Sequence, residues 1–355
     1  MKYVLAIIGL GVASALWKLI PLWTGSKSKK DWWRGGSGCG ESVILFAVFV
    51  SAFGCEHSTE LTQSTRNIMG TPISVTAPTG MHATVYEVFR QVDKDMSEWK
   101  PESPLTIVNQ NAGVAGVQVP ADLFQTLKKS IEIAELTSGA FDPTWASLWE
   151  LWNFDGSNVV PTKAKVDALL PQVDWKKVEL DELTNTVFLP EPSSMLGLGG
   201  IAKGVALNKA RDALVAQELT DFMIVAGGQV LVHGSKNGKP WRVGLRDPEK
   251  EQTAYFTALE LTDTSVSTSG NYEKFFMKDG IRYHHIIDPK TGYPARGVKS
   301  VTVISQDATL ADALSTALFV MGVKEGLSLV ERLSNAEALF IDEKNALHQS
   351  SGFTF

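Results

Sequence analysis

Apolar positions recur with a helical period in four stretches of the chain. They lie in residues 81–96, 123–134, 207–214 and 309–322. Gly139 is placed to end the second helix. In residues 309–322, six apolar side chains fall at i, i+3, i+4, i+7, i+8 and i+11, and Gly322 closes the run. We therefore expect a helix there, followed directly by a further helix over residues 323–333.

Ten shorter stretches have the alternation and the turn residues at their ends that are typical of strands. They are residues 72–76, 178–180, 186–189, 222–225, 229–234, 241–245, 256–261, 282–287, 300–305 and 337–341. The last third of the chain therefore mixes hairpins with helices, which favours an α+β fold with mixed sheets. Residues 66–355 contain no stretch long enough to be a linker, so we treat this body as one domain.

Composition narrows the classes of protein to which the chain can belong. Its 355 residues are 44% hydrophobic and 20% charged, as in a globular protein. The net charge of −6, with no dense basic run beyond residues 27–30, argues against nucleic acid as a partner. Both cysteines, Cys39 and Cys55, precede the body, so the body has no disulfide framework, thiolate zinc site or cysteine nucleophile.

The N-terminal region has two apolar stretches. Residues 3–23 are nearly long enough to span a bilayer, although Lys18 interrupts them. Residues 43–54 are short, as is the apolar core of a secretory signal, and they end in small residues before Cys55.

The sequence Ser-Ala-Phe-Gly-Cys, which ends at Cys55, resembles a bacterial lipoprotein signal. We expect residues 1–55 to be a signal or membrane-anchor segment with Cys55 as the lipidated residue. Residues 56–66 are expected to form a polar tether, and residues 67–355 the folded domain. Export to the periplasmic face as a membrane-anchored lipoprotein follows, with a plain transmembrane anchor over residues 3–23 as the alternative.

The sequence GLGGIAKG, residues 197–204, contains a candidate anion site that we call the glycine turn. It can be read as a dinucleotide fingerprint, but the strand over residues 222–225 is followed by Ala-Gly-Gly rather than by an acid for the ribose. A Walker loop is excluded because Gly204 follows Lys203. Glycines that allow close approach, a helix N-terminus and Lys203 together suit a pyrophosphate. A tight turn that needs glycine for packing explains the same residues equally well.

Asp312 and Thr316 lie one turn apart on the late helix, away from its apolar stripe, with Ser315 beside them. A carboxylate and a hydroxyl are suitable oxygen ligands for Mg²⁺. Alternatively, Asp312 is a first-turn acid that stabilises the helix dipole, and Ser315 and Thr316 are packing residues.

Three further stretches are polar or aromatic enough to contact a ligand. Residues 265–276 (SVSTSGNYEKFF) form either a ligand-binding polar loop or a turn between strands. The three tryptophans in residues 138–154 either stack on a flat ring or pack a core. Trp99, between a helix and a proline turn, is a stacking candidate.

Taken in order, these segments resemble the FAD:protein FMN transferases, the ApbE-like flavin transferases formerly called thiamine biosynthesis lipoproteins. The segments that carry the resemblance are MGT (residues 69–71), MSEWKPESPLTIVN, GAFDPTWASLW, LGGIAKGVA, VAGGQVLVHG, WRVGLRDP, SVSTSGNYEKFF, HHIIDPKTGYP and ADALSTALFVMG. The resemblance as a whole covers roughly residues 67–342.

The resemblance implies a single two-lobed domain with flanking helices and a ligand cleft between the lobes. It implies Mg²⁺-dependent cleavage of FAD, transfer of FMN to a threonine or serine hydroxyl of an acceptor protein, and release of AMP. By motif match, the metal ligands are the carbonyl of Gly200 and the side chains of Asp312 and Thr316. Ser315 stands where some members have a further aspartate ligand.

The resemblance also implies a flavin site and a catalytic base. The flavin-binding residues are Met69, Trp99, Ala140, Phe141, Asp142, Gly197, Lys203 and Ile287. Gly197 departs from many members, which have aspartate there. His285, the histidine of the H-x-I-D-P motif, is the candidate general base for the acceptor hydroxyl, and His284 is expected to be structural.

Redox-pump subunits that carry threonine-linked FMN are the acceptor proteins that the resemblance implies, and a lipid-anchored enzyme would meet them at the membrane. Two alternatives remain open. One is an FAD pyrophosphatase that gives free FMN and AMP, and the other is a non-catalytic flavin-binding lipoprotein.

Overall fold

The computed structural model describes residues 60–355 apart from 153, 155, 156 and 251–253. These residues belong to one unit by their internal contacts. The predictions for the signal or anchor segment and for Cys55 lie outside the described residues.

Strands and helices alternate irregularly along the chain. The strands are β1 (Leu61–Ile68), β2 (Thr71–Pro78), β3 (Val117–Gln118), β4 (Glu179–Asp181), β5 (Thr186–Phe188), β6 (Phe222–Ala226), β7 (Gln229–His233), β8 (Trp241–Arg246), β9 (Tyr255–Leu261), β10 (Thr264–Gly270), β11 (Phe275–Lys278), β12 (Ile281–His284), β13 (Val298–Ser305), β14 (Glu337–Asp342) and β15 (Leu347–Gln349). The α-helices are α1 (His82–Met96), α2 (Pro104–Gln110), α3 (Ala121–Leu136), α4 (Lys163–Leu169), α5 (Ala202–Val215) and α6 (Ala308–Val330). Short 3-10 helices cover Thr79–Met81, Pro143–Leu151, Leu170–Gln172 and Trp175–Lys177.

An eight-stranded sheet in the order β1-β2-β6-β7-β10-β13-β14-β15 is the centre of the fold. Helix α6 packs against β10 and β13, and α5 packs between α6 and α1. On its other face the sheet shares a second apolar cluster with the β8–β9 hairpin, which includes the buried Trp241. The predicted α+β class is confirmed. Every strand pairing in the described part is antiparallel, so the sheets are not of mixed parallel and antiparallel type.

Helix α6 confirms the strongest sequence prediction. Its apolar stripe is buried in the main core, as Leu314 and Leu318 show. At Gly322 the backbone has φ 75° and ψ 178°, a conformation that glycine adopts without strain, and a second helical segment follows at once. Among the described residues, α6 is the one helix long and apolar enough to cross a bilayer, but half of its most apolar window is buried inside the protein.

The N-terminal edge of the sheet corrects a domain boundary. Residues 61–66, predicted to lie in a polar tether, form most of β1, whose Leu61 lies opposite Pro78 of β2. The sequence T-Q-S-T-R-N is polar because it lies in an edge strand with mostly exposed side chains, and an edge strand of this composition resembles a linker.

Strand β10 corrects a second prediction. Each of the ten predicted strands overlaps an observed one, but Thr264–Gly270 was expected to be a loop or turn. It is instead a central strand that pairs with both β7 and β13. Its serines recur with a period of two, and hydroxyls are not the apolar side chains that identify a buried strand.

Candidate functional site

The glycine turn and helix α6 approach each other at Gly200. A Cβ built on Gly200 would lie 3.3 Å from the Thr316 Oγ1 atom and 3.3 Å from the Phe141 ring. Because glycine has no side chain, the backbone of the turn can lie directly beside the Thr316 hydroxyl. The structure therefore brings together three residues from separate parts of the predicted site.

Asp312 connects α6 to the start of α5. Its Oδ2 atom accepts a hydrogen bond from the Gly204 backbone N–H at 3.0 Å and lies 4.0 Å from the Lys203 Nζ atom. Lys203 Nζ also donates to the Gly199 carbonyl at 2.8 Å. A buried carboxylate and a partly exposed ammonium group therefore fix the conformation of the glycine turn.

The position of Asp312 excludes one alternative from the sequence. The helix begins at Ala308, and its N-cap is Asp307, whose carboxylate accepts hydrogen bonds from the N–H groups of Thr309 and Leu310. Asp312 is thus beyond the first turn, so its interpretation as a first-turn acid is wrong.

Ser315 belongs to a buried hydroxyl cluster, which we define as Ser267, Ser269 and Ser315. Its Oγ atom donates to the Asp312 carbonyl at 2.9 Å and lies 3.1 Å from Ser267 Oγ and 2.8 Å from Ser269 Oγ. A serine hydroxyl has one hydrogen to donate and two lone pairs, so these contacts fill its capacity. This bonding favours a link between α6 and β10 over metal ligation, and the assignment of Ser315 as a ligand stays a prediction.

The oxygen atoms beside the glycine turn suit a divalent cation of the Mg²⁺ type. They are the Asp312 carboxylate, the Thr316 hydroxyl and the Gly200 carbonyl, all of which are hard ligands. Within the described part of the chain there is no group of three or more His, Cys, Asp or Glu side chains that could hold a metal. One carboxylate with neutral oxygens matches Mg²⁺, which commonly takes further ligands from water and from substrate phosphates.

His285 directly follows strand β12 and is half-buried. Its backbone N–H donates to the Lys274 carbonyl at 3.0 Å, and its Nδ1 atom lies 3.3 Å from the same oxygen. This contact favours the proton on Nδ1 and leaves Nε2 as an acceptor. Burial, followed by the positive charges of Lys274 and Lys203, lowers the pKa of His285 to about 4. The imidazole is therefore neutral at pH 7 and able to accept a proton.

His284 differs from its neighbour in burial and in the number of ring nitrogens that the backbone engages. It is buried, its Nε2 atom lies 2.8 Å from the Ala295 carbonyl, and its Nδ1 atom accepts from the Ile286 N–H at 3.3 Å. Burial lowers the pKa of His284 to about 4. Both ring nitrogens are used by the backbone, which supports the expected structural role.

Asp142 and Ala140 lie in the fold beside Phe141. The Asp142 Oδ1 atom accepts from the N–H and hydroxyl of Thr144, at 2.8 Å and 2.6 Å, and its Oδ2 atom accepts from the Trp175 N–H at 3.2 Å. Burial raises the pKa of Asp142. Its carboxylate caps the 3-10 helix Pro143–Leu151, so a contact with flavin would be additional to this role. Ala140 is buried.

The aromatic residues form a surface at the opening of the glycine turn. Trp99 is 60% exposed and meets Trp149 edge to face at 5.0 Å, and Trp149 meets Trp145 at 5.2 Å. A Cβ on Gly197 would lie 2.9 Å from Ala146 Cβ and 3.3 Å from Trp145 Nε1. Trp99 thus has an accessible ring near the turn, whereas Gly197 has no room for a side chain.

Met69 and Ile287 pack in two different apolar clusters. Met69 lies in the tight turn between β1 and β2 with φ 55° and packs partly against the main core. Ile287 packs in a separate apolar cluster with Leu148, Trp152 and Phe276. Their assignment to the flavin site stays a prediction.

Two groups of site residues were missed by sequence reasoning. The serines of β10 were assigned to a ligand-binding polar loop or a turn between strands, although their period of two was a signal for a strand. Glu98 was not singled out, yet its Oε1 atom lies 3.8 Å from a Cβ built on Gly199 of the glycine turn. Its only sequence signal is its place beside Trp99.

Comparison with known proteins agrees with this geometry. A protein from Treponema pallidum named FAD:protein FMN transferase is 35% identical over 292 residues, which cover 77% of this chain and 80% of that protein. The solved structure of the ApbE protein from Thermotoga maritima matches with a TM-score of 0.76 and 35% identity over 82% of this chain and 97% of that one. The flavin transferase ApbE from Vibrio cholerae matches with a TM-score of 0.75 and 29% identity, covering 83% of this chain and 98% of its own.

The family model described as ApbE matches residues 69–340, which include the glycine turn, His285 and the face of α6 that carries Asp312 and Thr316. The chain therefore belongs to the ApbE family.

Proposed function

We propose that this protein transfers FMN from FAD to a threonine or serine hydroxyl of an acceptor protein, with Mg²⁺ as the metal and AMP as the leaving group. The relatives named FAD:protein FMN transferase support this activity. The observation that carries the proposal is the approach of the glycine turn to Asp312 and Thr316, with Lys203 beside them.

The residues around the glycine turn would bind the pyrophosphate of FAD. Gly200, Asp312 and Thr316 would hold Mg²⁺, with Ser315 as a further predicted ligand. When bound there, Mg²⁺ would neutralise charge on the phosphate oxygens. Lys203 is partly exposed and held by the Gly199 carbonyl, so its ammonium group is positioned to contact the same oxygens without a large loss of side-chain freedom.

His285 would act on the acceptor hydroxyl. The Lys274 carbonyl orients the ring through Nδ1, so Nε2 takes the hydroxyl proton. The hydroxyl oxygen then bonds to the FMN phosphorus, the bond from that phosphorus to the bridging oxygen breaks, and AMP leaves with the bridging oxygen. The low pKa of the imidazole keeps it neutral before the reaction.

The isoalloxazine ring would lie against Trp99, whose exposed face suits stacking. Phe141 lies beside Gly200 and would close the apolar side of the site. Met69, Ala140, Asp142, Gly197 and Ile287 complete the predicted flavin-binding set.

We also propose that Cys55 is lipidated and that the enzyme acts at the periplasmic face of a membrane on redox-pump subunits. The sequence Ser-Ala-Phe-Gly-Cys and the apolar residues 43–54 support this. Metabolic labelling with a radioactive fatty acid should mark the wild-type protein but not Cys55→Ala. Equal labelling of both would contradict lipidation at this residue.

The transfer itself is tested by incubation with FAD, Mg²⁺ and a purified acceptor domain, followed by denaturing electrophoresis. Fluorescent flavin should remain on the acceptor. His285→Ala should abolish labelling and leave FAD binding unchanged, whereas His348→Gln, which changes a histidine paired with Asp342, should label normally. Full labelling by His285→Ala would refute the assigned base, and free FMN without labelled acceptor would show hydrolysis instead of transfer.

A further inference from the structure

Glu98 lies in the loop after α1, next to the exposed Trp99, and faces the glycine turn. Its Oε1 atom is 3.8 Å from a Cβ built on Gly199, the residue whose carbonyl accepts a hydrogen bond from Lys203. The loop that carries Glu98 is fixed in place, because the Ser97 carbonyl accepts from Thr106 Oγ1 at 3.1 Å. The carboxylate is therefore presented to the turn by ordered backbone.

The glycine turn has no acidic side chain of its own at its opening. A Cβ on Gly197 would lie 2.9 Å from Ala146 Cβ, closer than such atoms approach in proteins. Trp145 Nε1, at 3.3 Å from the same position, takes up the remaining space. An acidic side chain beside this part of the turn therefore comes from another segment, and Glu98 is one such side chain.

The carboxyl group of Glu98 is half-buried beside the turn. Burial raises its pKa, and the positive charges of Lys203 and Lys274 oppose that rise. Two carboxylate oxygens offer about four lone-pair positions, so the group has acceptor capacity for a ligand. A hydroxyl or amino group on a bound molecule would fill that capacity.

We propose that Glu98 is a recognition residue for the dinucleotide, whose carboxylate accepts a hydrogen bond from a hydroxyl or amino group of bound FAD. Glu98 supplies an acidic side chain beside Gly199, in a turn where Gly197 has no room for one. This inference rests on the proposed function, since it names a contact with the same substrate. The contact is local, so it involves one half of the dinucleotide.

The test measures FAD binding without turnover, in EDTA and without acceptor, by quenching of flavin fluorescence. Glu98→Ala should raise the dissociation constant for FAD by about tenfold or more, which is the effect expected from the loss of one hydrogen bond to a charged group. Glu98→Asp should recover part of this loss. Glu102→Gln, which removes an exposed carboxylate from the same loop, is the matched control and should bind as wild type.

Competition with ADP and with FMN separates direct contact from a structural effect. Loss of affinity for one half only, with an unchanged melting temperature, supports the recognition role. Equal loss for both halves, or a melting temperature that falls with affinity, would assign Glu98 to the fold of the turn and overturn the inference. Wild-type affinity in Glu98→Ala would also overturn it.

These measurements distinguish the inference from the proposed function. A wild-type protein that binds no FAD would refute both. A wild-type protein that binds FAD and labels the acceptor, with Glu98 variants that bind equally well, would refute the recognition role alone.

Discussion

Replacement of Asp312 by Asn separates the charge of this side chain from its structural role. In the wild type, Oδ2 accepts from the Gly204 N–H at 3.0 Å and faces Lys203 Nζ at 4.0 Å. The amide oxygen of Asn can accept the same hydrogen bond, and its size is nearly unchanged. What Asp312→Asn removes is the single negative charge among the predicted metal ligands.

The expected effects on stability and on activity differ in size. Two unit charges at 4.0 Å attract by about 4 kcal/mol at an effective dielectric constant of 20. The cost of burying Asp312 and the 26% exposure of Lys203 offset most of this, which leaves a net loss of about 1–2 kcal/mol. Loss of a charged metal ligand should lower Mg²⁺ affinity by about 100-fold or more.

The assay compares transfer rates across a Mg²⁺ titration with unfolding in urea. Asp122→Asn is the matched control, because Asp122 of α3 forms an exposed ion pair at 2.6 Å with Lys209 of α5, the helix that also carries Lys203. Asp312→Asn should remain folded and lose transfer at every Mg²⁺ concentration at which wild type is saturated. Asp122→Asn should change neither quantity by more than a small factor.

Two outcomes would refute the reasoning. Transfer by Asp312→Asn at the wild-type Mg²⁺ dependence would show that the carboxylate holds no metal. Unfolding of Asp312→Asn would show that the charge supports the fold, and Thr316→Val, which removes only a hydroxyl beside Gly200, would then test the metal site.

Three further predictions follow from the histidines and the hydroxyl cluster. With the pKa of His285 lowered to about 4, the transfer rate should stay level from pH 7 to below 6 and fall only as pH approaches 4; a fall centred near 6.5 would contradict this. The pKa of His284 is about 4 in the folded protein, below its ordinary 6.5. The unfolding free energy should therefore fall as pH drops from 6.5 to 4, and His284 contributes about 3 kcal/mol to this loss. His284→Gln should flatten that dependence in urea unfolding between pH 7 and 4, and an unchanged slope would be inconsistent with it. Ser315→Ala removes the hydroxyl partner of Ser267 and leaves Ser269 with only Thr316 Oγ1 at 3.4 Å. It should therefore lower the unfolding free energy by about 1–3 kcal/mol with little change in Mg²⁺ dependence, whereas loss of Mg²⁺ affinity in a stable variant would make Ser315 a ligand.

The parts of the fold that the sequence predicts are those in which local pattern and burial agree. Helix α6 has its apolar stripe on the face that enters the core, and Gly322 marks the break that the structure contains. Strands β1 and β10 were missed because their side chains are mostly polar, and the contacts that make polar side chains suitable there depend on where each strand lies in the sheet. Strand β1 is an exposed edge, and the serines of β10 bond to Ser315 across 46–48 residues of sequence.

The site, too, was predicted where local sequence carries the signal and missed where tertiary position decides. Its residue types were visible in the glycine turn, in Asp312 and Thr316 and in His285, but none of these spacings fixes a distance in space. Glu98 shows the limit most clearly, because its role depends on the approach of the loop after α1 to Gly199. A contact between residues about 100 positions apart has no local signal in a single sequence.

The most direct test of the central claim is a crystal structure of the protein with FAD and Mn²⁺, in which anomalous scattering locates the ion. We predict one ion beside the Gly200 carbonyl, Asp312 and Thr316, in contact with the pyrophosphate of FAD, with the His285 imidazole facing the FMN phosphorus. An ion at another place, or a pyrophosphate bound away from the glycine turn, would contradict the account.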